Sequence, residues 1–448
     1  MADWRRVTVE QIKAGSDAAL ATGPFGSSIS SKTFREVGIP VIRGSNLSQD
    51  VGTRLNDDGL VFLDDATAKS FRRSTVRPGD LIFTSWGTIN QVGLIDNRSR
   101  YQEYVISNKQ MKLTPDIGQV NSLFLYYLFS SPRIQSKILS NGIGSSVPGF
   151  NLGQLRAMEI DIPCLPEQHL IASILGALDD KIELNRKMSA TLEAIARALF
   201  KSWFVDFDPV RAKAEGRDLG LPAEIAALFP DSFEESERGQ VPSGWAIRSL
   251  LSICDLVERG ITPKYELGSR RFIVNQKVNR GSTLDLGALK ELSCGLAIPT
   301  NKLTREFDVL VNCLGEGTLG RVHLFRGTTA YAVDQHMAIC RPSVSHFGPL
   351  IYERLANPEG QAIIEAGKTG TTGMTMLNIS KLREFPVLWP GIALAETYGY
   401  AVASFWQRIN LNDIMSRNLA AIRDSLLPKL ISGEIRVTDA ERLLAAPA

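Results

Sequence analysis

Cysteine is scarce in this chain: five are scattered at Cys164, Cys254, Cys294, Cys313 and Cys340. No two stand at C-x-x-C spacing, so neither a zinc site nor a disulfide framework is indicated, and a reducing cytoplasm is the expected location. The four histidines, His169, His323, His336 and His346, have no metal-ligand spacing. Long apolar runs are missing. The most apolar short stretch, Phe124 to Phe129, is far too brief to span a bilayer. Met1 to Ile12 has no apolar run behind its charges, so neither a signal peptide nor a membrane partner is expected. An excess of one charge sign is also missing, with 50 Lys+Arg against 48 Asp+Glu.

That balance hides an uneven distribution. Residues 1–163 hold 18 basic against 15 acidic side chains, and residues 241–390 hold 17 against 13. Residues 164–240 between them hold 9 against 14, and residues 391–448 hold 6 against 6. Two mildly basic blocks flank an acidic one, and basic blocks suit a polyanion.

The blocks are copies. Asn151-Leu-Gly-Gln-Leu-Arg156 returns as Asn378-Ile-Ser-Lys-Leu-Arg383, and Pro163 returns as Pro390. Ser131-Pro132 matches Asn357-Pro358, Gly144-Ser-Ser146 matches Gly370-Thr-Thr372, and Asp80-Leu-Ile-Phe matches Asp308-Val-Leu-Val. Trp4 and Trp245 open the copies. The spacing predicts globular block 1–163, helical linker and acidic connector 164–240, globular block 241–390, and a second helical linker 391–448.

Both linkers carry a helical stripe. It runs through Ile171, Leu175, Leu178, Ile182, Asn185, Met188, Leu192, Ile195, Leu199 and Trp203. The second copy runs through Tyr398, Val402, Phe405, Ile409, Asn412, Met415, Leu419, Ile422, Leu426 and Leu430. Pro166 suits a helix start, Asp208-Pro209 stops the first helix, and Gly433 ends the second. Stripes this narrow predict a mutual coiled coil with Asn185 and Asn412 as polar register markers. The blocks read as mixed α/β (α+β). Their strands fall at Pro40–Ile42, Asp80–Phe83, Gln91–Ile95, Phe272–Val274, Asp308–Val311 and Arg321–Phe325, and their helices at Ser122–Ser130 and Gly348–Ala356.

Two nucleotide-like patterns fail on context. Ala362 to Thr369 loosely fits a phosphate loop but follows a helical stretch. Gly315-Glu-Gly317-Thr-Leu-Gly320 leads into a strand-like run and reads as a hairpin rather than a dinucleotide fingerprint. The Asn/Asp-Pro-Pro-Tyr/Phe run that holds a flipped adenine is missing, and no Ser/His/Asp set can be argued. No catalytic machinery and no cofactor bound by this chain are expected.

What stands out are loop clusters of planar and cationic side chains, suited to base edges and phosphates. The first block offers Lys32, Arg43 with Asn46, Arg72-Arg73, Asn90-Gln91 and Asn108-Lys109-Gln110. The second offers Lys264-Tyr265, Arg270-Arg271, Asn275-Gln276-Lys277 and Asn279-Arg280. Lys368 with Thr371 and Thr372, and the matching stretch Gly144–Pro148, are small and polar enough to approach a sugar–phosphate backbone.

Several runs resemble the specificity subunits of type I restriction–modification systems. They are Leu165-Pro-Glu-Gln168, Ala198-Leu-Phe-Lys-Ser-Trp-Phe-Val-Asp-Phe-Asp-Pro209, Val241-Pro-Ser-Gly-Trp245, Gly23-Pro-Phe-Gly26, Ile39-Pro-Val-Ile-Arg-Gly44 and Leu427-Pro-Lys-Leu-Ile-Ser-Gly433. The resemblance implies two target-recognition domains, each reading half of a split site in double-stranded DNA. Two antiparallel helices between them would set the gap. It further implies two adenine methyltransferase subunits and ATP-driven restriction subunits as partners, which would carry S-adenosylmethionine, ATP and Mg. The second block departs from the pattern, with Gly260-Ile-Thr-Pro263 in place of Gly23-Pro-Phe-Gly26. A recognition subunit of another restriction–methylation class, or a scaffold without DNA, are the alternatives.

Overall fold

The computed structural model describes residues 4–26, 28–142, 148–236, 239–315, 317–370 and 375–437. Six strands of the first block position the site: β1 (Leu20–Thr22), β2 (Ile39–Ile42), β3 (Leu81–Thr84), β4 (Val92–Leu94), β5 (Tyr104–Ile106) and β6 (Gln110–Leu113). Their counterparts in the second are β7 (Cys254–Arg259), β8 (Phe272–Val274), β9 (Val309–Asn312), β10 (Val322–Leu324), β11 (Ala332–Val333) and β12 (Met337–Pro342).

The repeat extends to topology. The first block builds an antiparallel sheet in the order β1-β6-β3-β4, and the second builds β7-β12-β9-β10. β3, β6, β9 and β12 are buried at every position; β3 and β9 are nearly continuous apolar runs, whereas β6 buries Gln110 and Lys112 and β12 buries Arg341. A second sheet centres on a parallel pair: β2 with β5, and β8 with β11. An antiparallel pair closes each block, Arg5–Thr8 on Glu159–Ile162 and Ala246–Ser249 on Pro386–Trp389.

Two helices cover each main sheet, Ser122–Ser130 with Pro132–Ser140 and Gly348–Ala356 with Pro358–Ala366. Pro132 and Pro358 open the second of each pair, where a missing N–H costs nothing. Phe83, Phe124 and Phe129 sit in one core, and Val309, Leu350 and Leu355 sit in the other.

The linkers are helices Leu165–Phe204 and Ile392–Ser432, of 40 and 41 residues. Phe207 takes a left-handed φ of 57° before Asp208-Pro209 starts a short new helix, and Gly433, at φ 72°, ends the second long helix. No helix among the described residues is long and apolar enough to cross a membrane.

Contacts divide the chain into two compact units, and the division passes through both long helices. One unit holds residues up to Asn185 and from Met415 onward, and the other holds Arg186–Ile414. In the first unit, Leu175 and Leu178 share a core with Leu426 and Leu430, and Asn185 Nδ2 lies 3.4 Å from Ser416 Oγ. In the second, Asn412 Nδ2 lies 3.2 Å from Ser189 Oγ, and the Tyr398 hydroxyl donates to Ala196 O at 3.3 Å. Early residues of one helix meet late residues of the other, so the pairing is antiparallel. Asn185 and Asn412 are buried in it, each hydrogen-bonded to a serine of the opposite helix.

The expected stripe drifts along its length. Ile195 is 46% exposed while Ala196 and Phe200 are buried, and Trp406 is buried where Phe405 was expected. A straight helix slips about 20° per heptad against a seven-residue repeat, so the buried face passes from the helix seam to the globular core. The acidic connector is also more structured than its composition indicates. It forms helices Asp208–Ala214 and Ala223–Ala226 and the hairpin Phe233–Ser236 with Gly239–Pro242. Aromatics anchor it: Phe229 packs on Trp203 at 5.2 Å between centroids, and Phe207 packs on Trp245 at 5.7 Å.

Candidate nucleic-acid interface

In the first unit a cleft of about 430 Å³ opens where β2, β3 and β5 end. Arg43 and Gly44 follow β2, Thr84 ends β3, Trp86, Thr88 and Gln91 line the β3–β4 connection, and Ser107 to Gln110 join β5 to β6. Trp86 is 53% exposed, and Asn108 and Lys109 are exposed beside it. Gln110 is fully buried. Its Oε1 accepts the Ser107 hydroxyl, while its Nε2 has no partner among the described residues. Arg43 donates Nη2 to Gly59 O at 2.8 Å, and its buried Nε is likewise unpartnered. Leaving a buried donor unpaired costs about 1–3 kcal/mol. The exposed indole of Trp86 and the exposed Lys109 fit a ligand with acceptor atoms and a flat face.

The second unit builds the same place from other residues. Gly23 N donates to Gln110 O, and Gly260 N to Met337 O. A Cβ at Gly23 would lie 1.8 Å from Ser107 O, and one at Gly260 would lie 1.9 Å from Val333 O. Only glycine allows this approach, so Gly260-Ile-Thr-Pro263 does the backbone work of Gly23-Pro-Phe-Gly26. Ser85 N donates to Lys109 O as Cys313 N does to His336 O, and Gln110 N donates to Ser107 O as Met337 N does to Asp334 O. Asp334-Gln335-His336-Met337 is therefore the counterpart of Ser107-Asn108-Lys109-Gln110. In it, Thr262 Oγ1 donates to Gln335 Oε1 at 2.8 Å, and His336 Nδ1 lies 2.8 Å from Asp334 Oδ1.

The cleft gathers five of the sequence-predicted residues: Arg43, Gln91, Asn108, Lys109 and Gln110. Gln91 spans Leu47 O and Thr84 Oγ1. Asn90 accepts from Gln49 Nε2 at 2.7 Å. Lys32, Arg72 and Arg73 are exposed outside the cleft lining. Asn46 is fully buried and donates to Asn56 O and Asp58 O, so it holds the loop behind Arg43.

In the second unit Lys264, Arg270 and Lys277 are exposed, and Tyr265, 51% exposed, carries the Lys290 ammonium 4.8 Å above its ring. The Arg271 guanidinium is spent on the carbonyls of Ser293, Cys294 and Leu296. Asn279 is fully buried against Asn312 Oδ1 at 3.0 Å. Asn275 is buried and caps Lys277 N, Gln276 is half-buried, and Arg280 pairs with Asp285 at 3.0 Å. Lys368 pairs with Glu365. Thr371, Thr372 and residues 143–147 lie outside the described residues.

The glycine run ending at Gly320 turns between antiparallel β9 and β10 and opens no helix. Among the described residues no three His, Cys, Asp or Glu side chains group as metal ligands. Sequence reasoning missed Trp86, Gln335 and His336. The repeat itself could have found the last two, because the offset of 227 that links Asn151 to Asn378 also links Asn108 to Gln335 and Lys109 to His336.

Residues 26–194 match the family model described as a type I restriction modification DNA specificity domain. The chain is 26% identical over 417 residues to the type I restriction enzyme HindI specificity subunit of Haemophilus influenzae, covering 81% of this chain and 88% of that one. It is 25% identical over 391 residues to the MjaIX specificity subunit of Methanocaldococcus jannaschii, covering 83% and 82%. A type I restriction–modification S subunit of M. genitalium shares the fold, with a TM-score of 0.54 at 15% identity over 96% of both chains.

Proposed function

We propose that this chain, a relative of type I restriction specificity subunits over most of its length, is the DNA-recognition subunit of such a system. One observation carries the reading: the main four-stranded sheet and the parallel pair beside it are built twice, while the residues at the exposed turns differ. A duplicated frame with unlike tips suits two unlike half-sites. Trp86 and Lys109 suit base edges and phosphates in one half, and Gln335 and His336 occupy the place of Asn108 and Lys109 in the other.

The paired helices are the spacer element of this reading. Leu184, Ile195, Leu411 and Ile422 stay exposed on them, which suits docking of methyltransferase subunits. Chemistry belongs to those partners. S-adenosylmethionine would act on the methyltransferases, and ATP and Mg on the restriction subunits. The test is reconstitution. The purified chain transfers no methyl group alone, and sequence-specific adenine methylation appears when the cognate methyltransferase and S-adenosylmethionine are added. Methyl transfer by the chain alone, free of contaminants, overturns the reading.

A further inference from the structure

The turns Ser107–Gln110 and Asp334–Met337 share a backbone and differ in chemistry. In the second, Asp334 is 2% exposed at its side chain, and His336 is 35% exposed. The backbone N–H of His336 donates to Asp334 Oδ1 at 2.8 Å, and the ring Nδ1 stands 2.8 Å from the same oxygen. The tautomer that places its proton on Nδ1, facing that carboxylate, offers Nε2 as an acceptor. Gln335 Oε1 is taken by the Thr262 hydroxyl, which leaves the Gln335 NH₂ as the free end of that amide. A donor and an acceptor thus stand on adjacent residues of one turn.

The first turn differs. Lys109 is a donor only, and the Asn108 NH₂ donates to Gly26 O at 3.1 Å. In the major groove adenine presents an acceptor, N7, beside a donor, N6–H₂, whereas guanine presents two acceptors. The second turn complements adenine, and the lysine of the first complements guanine or phosphate.

We propose that the Gln335–His336 turn reads an adenine of the second half-site, Gln335 Nε2 donating to N7 and His336 Nε2 accepting from N6. Asp334 is the positioning residue that fixes the ring. This rests on the DNA-recognition reading above and adds to it the base and the atoms.

The full chain is assembled with its methyltransferase subunits, and binding is measured on duplexes carrying its methylation site. Each adenine of the second half-site is replaced in turn by purine, which lacks the N6 amino group, and by 7-deazaadenine, which lacks N7. At one position each analogue weakens wild type about tenfold or more. There, His336→Ala is blind to loss of N6, and Gln335→Ala is blind to loss of N7. Asp334→Ala loses N6 sensitivity, and Asp334→Asn, which still accepts from Nδ1–H, keeps it. Base changes in the first half-site weaken all these proteins alike, which confirms that each is folded and reading DNA. If that control holds while His336→Ala keeps full N6 sensitivity, or no adenine of the second half-site responds, the assignment is wrong. If neither half-site shows discrimination, the DNA-recognition reading falls and this assignment falls with it.

Discussion

Glu353 and His323 are ionisable groups buried in the second unit, and folding biases their protons in opposite directions. Burial, then Arg326, pushes His323 down to about 3 from the ordinary 6.5, and the ring is held at 2.7 Å from Gly281 O. Its contribution is complete above pH 6.5 and is lost as the pH falls toward 3. Burial, opposed by Arg197 and reinforced by Glu193, pushes Glu353 up to about 7 from 4.5. Its contribution is complete below pH 4.5 and is lost as the pH rises through 7. Between pH 4.5 and 6.5 the two offset each other. Glu353→Gln removes one side, so its stability relative to wild type should fall by about 1.4 kcal/mol per pH unit as the pH drops through that window. Denaturant midpoints measured against pH check this, and parallel curves for the two proteins contradict it. Lys109, exposed at the first cleft, should act on one half-site alone. Lys109→Ala should lower the salt slope of binding by about one and spare discrimination in the second half-site. Equal loss at both halves would count against independent reading.

The long helices were legible from sequence because their signal is periodic and strong, and their ends are marked by Asp208-Pro209 and Gly433. The strands were legible because β3 and β9 are continuous apolar runs. The site was only partly legible. Asn46, Asn279 and Arg271 have the composition of base-reading residues, yet their polar groups are consumed by carbonyls and amides of the fold. Polarity marks what a side chain can bond, not which partner reaches it first. The connector went unread because its few aromatics, Phe207 and Phe229, lie in an acidic stretch without periodicity. Asn185 and Asn412 give the helices a prediction of their own. A buried amide in a helix seam costs stability and fixes register. Asn185→Leu with Asn412→Leu should raise Tm while the assembled complex tolerates a wider range of gap lengths. A lower Tm with unchanged gap selectivity would show that the amides act as stabilisers rather than register markers.

The molecule as a whole is two editions of one plan, from the closing strand pair through the main sheet and helix pair to the long helix. An approximate repeat suits DNA, whose strands are related by local two-fold symmetry. Unlike tips on that repeat make the expected target asymmetric and divided, with an unread middle. Mapping methylated adenines across the host genome, with the gene for this chain intact and deleted, tests that claim most directly. The account predicts that deletion abolishes one motif, made of two unlike specified halves around a fixed run of unspecified bases, with an adenine methylated on each strand. Loss of a continuous or palindromic motif instead, or no loss of methylation at all, would contradict it.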